Sequence, residues 1–122
     1  MQTRGIRGAI TVTADTKEEI LSATRELLQA ILAQNAELDK EDIASAFFTT
    51  TQDVAAEFPP AAARMLGWNA VPMLCTQEIP VPGSLPMTIR VLIHWNTDKS
   101  QSEIKHIYLR EAKKLRPDIA EK

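Results

Sequence analysis

The run MTIRVLIHWNT at 87–97 constrains the fold more than any other segment, because it reads as the strongest strand of the chain. Alternation puts Met87, Ile89, Val91, Ile93 and Trp95 on one face and Thr88, Arg90, Leu92 and His94 on the other. A fold containing this strand must bury the first face, and it then holds an arginine rigidly on the second. The segment RGIRGAITVT at 4–13 repeats the arrangement. Ile6, Gly8, Ile10 and Val12 share one face, and Gly5, Arg7, Ala9 and Thr11 share the other.

Between these strands the clearest helix starts at Asp15 and Thr16, each with a glutamate three positions on (Glu18, Glu19), the capping-box spacing. Ile20, Ala23, Leu27, Ala30 and Ile31 then form one apolar stripe that runs to about Gln34. Residues 43–51 (IASAFFTTT) predict a strand. Pro59 and Pro60 open a short helix that Gly67 closes. Residues 70–79 form a further extended run, and Ser102 to about Lys114 fits a second amphipathic helix through Ile104, Ile107, Tyr108 and Ala112. The order β-α-β-α-β-β-α predicts an α+β fold with one mixed sheet. The 122 residues suit a single domain over 1–122, with a tail from about 115 to 122 that is mobile.

A net charge of −2 gives no general attraction to nucleic acid or an anionic membrane, so no nucleic-acid or membrane partner is expected. Any anion site must come from a few placed cations. The lone Cys75 rules out an internal disulfide and a multi-thiolate zinc site, and His94 and His106 are not at metal-ligand spacing, so no metal is expected. The start MQTRGIRGAI has arginines where a signal peptide needs apolar residues, and no stretch reaches ~20 apolar residues. The expected location is cytoplasmic. A chain this small has little room for a deep pocket of its own, which favours oligomerisation.

The residues that break their local pattern are the candidates for chemistry. Arg90 is either a sheet-surface cation paired with a carboxylate or a guanidinium aimed at an anion, which its planar fork suits. Arg7, between Gly5 and Gly8, has the same two readings. Cys75 has no nucleophile motif and reads most simply as a small buried hydrophobe. Glu78 ends its strand or pairs with an arginine, and strict alternation puts it on the opposite face from Cys75. Tyr108 on the last helix is core or ligand. Phe58 staples a helix start or overhangs a pocket. Arg64 and Arg116 read as exposed, and His106 as a helix-surface residue. Together they give arginines and a tyrosine suited to an anion, with no convincing acid, base or nucleophile.

The opening RGIRGA, the segment VPMLCTQEI, the strand IRVLIHWNT and the ending HIYLREAKKLRPD, in this order, resemble the AroH-type chorismate mutases over Arg4 to Asp118. The resemblance implies a homotrimeric pseudo-α/β-barrel with a mixed sheet per subunit and three active sites at subunit interfaces. It implies a cofactor-free, metal-free Claisen rearrangement of chorismate to prephenate in phenylalanine and tyrosine biosynthesis. Arg90 would contact the ether oxygen and a carboxylate, while Arg7 and Tyr108 would bind the side-chain carboxylate. Glu78 and Cys75 would meet the ring hydroxyl. Phe58, Arg64 and Arg116 would form the entrance and closing tail, and Leu74 and Leu115 would line the site. Two positions depart from the family pattern: Ala61 stands where a lysine is expected, and Leu74 where a threonine can precede the cysteine. A non-catalytic carboxylate-binding trimer and a small trimeric enamine/imine deaminase are the alternatives. The deaminase family's glycine-rich signature near a C-terminal arginine is missing.

Overall fold

The computed structural model describes residues 1–116. Its strands are β1 (Gln2–Thr11), β2 (Ile43–Thr50), β3 (Met73–Gln77), β4 (Thr88–Thr97) and β5 (Ile107–Tyr108), with helices α1 (Lys17–Gln34) and α2 (Pro60–Met65). The strands form one sheet in the order β3-β2-β4-β1-β5. β4 is central and antiparallel to both β1 and β2, whereas β3 and β5 add in parallel outside them. The sheet is therefore mixed, as the element order predicts.

Alternation decides what each face meets. Ile89, Val91, Ile93 and Trp95 of β4 are buried with Ile6 and Ile10 of β1 and Ala46 and Phe48 of β2. α1 covers this face with Ile20, Ala23, Leu27, Leu28 and Ile31, all without exposed surface. Each large aliphatic among them contributes roughly 1.5–3 kcal/mol of transfer free energy. α1 lies close because Gly8 has no side chain: a Cβ there would sit 2.9 Å from Ile31 Cδ1 and 3.1 Å from Val91 Cγ1. The glycine thus serves helix-on-sheet packing.

Thr16 is the N-cap of α1, its hydroxyl accepting the Glu19 N–H at 3.2 Å. The Glu19 carboxylate turns instead to the N–H of Thr13 at 2.7 Å. Asp15 accepts the N–H groups of Ala55 and Ala56 at 2.8 and 2.9 Å, which fastens the start of α1 to the loop after β2. α2 begins at the proline pair, and just past its C-cap Leu66 the chain turns at Gly67, whose φ of 90° is the left-handed conformation glycine permits.

The second amphipathic helix expected over Ser102–Lys114 does not form. Short 3-10 turns at Gln101–Glu103 and Arg110–Lys114 flank an extended segment that contains β5. Two tertiary interactions outweigh the local helical period. Asn35, at the end of α1, gives Nδ2 to the Lys105 carbonyl and accepts the Lys105 N–H, both at 3.0 Å. The outer edge of β1 then captures Ile107 and Tyr108, and the Leu109 N–H reaches the Ala9 carbonyl at 2.9 Å. Ile104 and Ile107 pack on the main core, while Tyr108 packs with Ala9 and Ala112 on the other side. Tyr108 is consequently a strand residue. His106 is half-buried beside β1 and not on a helix surface. The tail from 117 onward, part of the segment expected to be mobile, lies outside the described residues.

The second face of the sheet carries Phe47, Leu92 and Leu74, all exposed. Among the described residues no helix is long and apolar enough to cross a membrane.

Candidate active site

Register places the pattern-breaking residues on that second face. Arg90 stands between Ala9 of β1 and Thr49 of β2, and Arg7 stands opposite Leu92. Tyr108 is opposite Ala9. Beyond β3, the Glu78 N–H bonds the Thr50 carbonyl at 2.8 Å, so the alternation of β3 continues to Glu78 and keeps it on the Thr49 side. Arg7, Thr49, Glu78, Arg90, Tyr108, Leu115 and Arg116 thereby line one cavity of about 480 Å³, within the usual size for a small-molecule site.

Its electrostatics favour an anion. Among the described residues that line it, three guanidiniums (Arg7, Arg90, Arg116) face one carboxylate (Glu78). The Arg90 Nε lies 3.7 Å from Glu78 Oε2, close enough for an ion pair but too far for a hydrogen bond. That Nε is buried and has no hydrogen-bond partner among the described residues. Buried donors are almost always satisfied, so an orphan on a charged group is a site waiting for an acceptor. The Glu78 oxygen facing Arg90 already accepts the Thr49 hydroxyl. Thr49 thus fixes the carboxylate's orientation and leaves Arg90 unsatisfied.

Cys75 and Phe58 lie elsewhere. Strand alternation turns Cys75 toward the Phe48 side of the sheet, where Cys75 and Phe58 line a second cavity of about 260 Å³. Burial pushes the Cys75 thiol above its ordinary pKa, so it stays protonated at neutral pH and suits hydrogen bonding better than attack. Leu74 is exposed on the Phe47 side, and Arg64 is exposed on α2; neither lines these two cavities. Within one chain, therefore, Arg7, Glu78, Arg90, Tyr108, Leu115 and Arg116 converge, whereas Cys75, Phe58, Arg64 and Leu74 do not join them.

Three contributors escaped the sequence reading. Thr49 looked like one of several threonines ending a strand. His106 accepts the Arg7 N–H at Nδ1, 2.9 Å away. Arg110, at a left-handed φ of 55°, gives Nη1 to the Thr11 carbonyl at 2.9 Å and to Glu19 at 3.0 Å, and Nη2 to Glu26 at 2.9 Å. It pins the C-terminal segment to β1 and α1 just before Leu115 and Arg116. No local sequence signal marks these contacts, which span 29 to 99 positions. No cluster of three or more His, Cys, Asp or Glu able to hold a metal occurs among the described residues.

Known proteins match this chain over nearly its whole length. Residues 3–119 fit the family model for chorismate mutase type I. The chain is 54% identical to chorismate mutase AroH of Thermus thermophilus over 116 residues, 95% of each chain. It is 45% identical to chorismate mutase AroH of Bacillus subtilis, over 98% of this chain and 94% of that one. A solved chorismate mutase from Clostridium thermocellum superposes with a TM-score of 0.87 at 48% identity, covering 89% of this chain and 96% of that one.

Proposed function

This chain belongs to the type I chorismate mutases, and from that premise we propose how its side chains turn chorismate into prephenate. The reaction is an isomerisation within one molecule and a step of aromatic amino-acid biosynthesis. One C–O bond breaks as one C–C bond forms, and no proton moves in the chemical step. What accelerates it is restraint of the side chain over the ring, together with stabilisation of negative charge building on the ether oxygen. The imine-deaminase alternative falls with the family assignment.

The buried, unpartnered Nε of Arg90 carries this reading. Arg90 offers that donor to the ether oxygen and the rest of its fork to a substrate carboxylate, where its charge is permanent and its backbone is held by two neighbouring strands. Arg7 and Tyr108 take the side-chain carboxylate, and Leu115 and Arg116 close over it. Glu78, oriented by Thr49, accepts the ring hydroxyl and balances local charge without acting as a base.

The site is completed by a second subunit of a homotrimer. Cys75 and Phe58 face away from Arg90 in their own chain, so they reach the same substrate only from a neighbouring copy, with Arg64 and Leu74 at its rim. The exposed apolar side chains of Phe47, Leu92 and Leu74 supply a face for such packing into a pseudo-α/β-barrel. We place the enzyme in the cytoplasm.

The test is consumption of chorismate followed by loss of its absorbance, with prephenate identified by NMR. Mixing tests the shared site: Arg90→Ala trimers and Cys75→Phe trimers, each inactive, should regain activity when unfolded and refolded together. A protein that leaves chorismate unchanged would overturn the activity, and mixtures that stay inactive would overturn the shared site.

A further inference from the structure

β5 pairs with the outer edge of β1 only at Gly8 and Ala9. Before that point side chains take over the edge. The Gln101 amide brackets Gly5, accepting its N–H at 3.0 Å and donating to its carbonyl at 2.7 Å. The next outward N–H belongs to Arg7 and ends on His106 Nδ1 at 2.9 Å. The backbone of an arginine that lines the anion cavity is therefore held by an imidazole outside that cavity's lining.

We propose that His106 is a positioning residue for substrate binding: its neutral ring fixes the Arg7 backbone, and protonation at Nδ1 releases it. This rests on the reading of Arg7 as a carboxylate anchor. An accepting Nδ1 requires the proton to sit on Nε2, a role only the neutral ring can fill. The surroundings keep it neutral. The cavity on the His106 side of the sheet is lined by Arg7 from β1, Lys105 beside the ring, Tyr108 from β5, and Lys113 and Arg116 from the C-terminal turn. α1 contributes Ala30 and Gln34, and among the described residues no carboxylate lines this cavity. Burial first, then the positive charge of Arg7 and Arg116, holds the imidazole below its ordinary pKa. Protonation of the ring is thereby shifted toward acid.

The sign of the effect separates positioning from charge. An imidazolium beside Arg7 adds positive potential and by itself would tighten binding of an anionic substrate. A loss of affinity on acidification therefore reports the lost hydrogen bond.

Steady-state kinetics with chorismate should be recorded from about pH 5 to 8 on wild type, His106→Asn, His106→Leu and Arg7→Ala, with circular dichroism melts on each. His106→Leu should raise KM about tenfold with little change in kcat, because the Arg7 N–H loses its acceptor and the guanidinium its register. His106→Asn places Oδ1 where the ring places Nδ1 and should restore KM. It cannot titrate, so the acid rise in KM expected of wild type should be absent. A wild-type KM in His106→Leu, or an acid limb unchanged in His106→Asn, would overturn the proposal. Should His106→Leu not fold, the limb in His106→Asn decides alone. If Arg7→Ala itself keeps the wild-type KM, it is the reading of Arg7 that fails.

Discussion

Replacing Arg90 with alanine should separate catalysis from stability. The guanidinium forms one ion pair, 3.7 Å from Glu78, with side chains 39% and 30% exposed. Pairs of that kind are worth about 0–1 kcal/mol. The Nε is buried without an acceptor, and removing an unsatisfied buried donor relieves a cost of about 1–3 kcal/mol. The lost methylenes of the stem offset part of that gain, at about 0.8 kcal/mol each where they are buried. Glu78 keeps its hydrogen bond from Thr49, so its carboxylate is not stranded. These opposing contributions leave folding stability within about 1 kcal/mol of wild type. Catalysis has no such compensation. A donor aimed at developing charge is worth roughly 3–4 kcal/mol, which is at least a hundredfold in kcat. Arg90→Lys retains charge but cannot bridge ether oxygen and carboxylate, so it should lose most of the same activity. The assay pairs chorismate consumption with urea unfolding on the same preparations. A folded Arg90→Ala enzyme with near-wild-type turnover would refute the assignment, and so would an activity loss fully explained by unfolding.

Thr49→Val should lower kcat about tenfold with an unchanged urea midpoint, because it frees Glu78 to close on Arg90 and satisfy the orphan donor; unchanged turnover would remove Thr49 from the site. Gly8→Ala should cost about 1–3 kcal/mol, since its methyl meets Ile31, Val91 and Leu27 at 2.9–3.3 Å in a filled core. The urea midpoint should fall at constant slope. Glu19 supplies an acid-sensitive fastening. The Thr13 N–H first, then the Thr13 hydroxyl and Arg110, hold its carboxyl below the usual range against the opposing effect of burial. A depressed folded pKa means the stabilisation is complete above the unfolded value of about 4.3 and is lost as pH falls through the lower folded value. Glu19→Gln should flatten stability against pH in that acid window, and parallel curves for variant and wild type would contradict the linkage.

The sequence by itself determined the sheet's two faces. Period-two alternation in β1 and β4 requires Ile6, Ile10, Ile89, Val91 and Ile93 to be buried together, and it puts Arg7 and Arg90 on the other side. The capping residues and apolar stripe likewise fixed α1, because those signals act within a few residues. The motif set across the chain pointed to the family. What sequence could not decide was the fate of 102–114, where a helical period competes with a free strand edge and an asparagine seventy positions away. It could not place Thr49 beside Glu78, His106 behind Arg7 or Arg110 across β1 and α1. It also left Cys75 and Glu78 in tension, which strand alternation turns into two cavities on opposite faces. Local pattern reports which face a side chain takes. Which partner it meets there depends on segments brought together only when apolar burial closes the sheet against α1, and no spacing rule spans that distance.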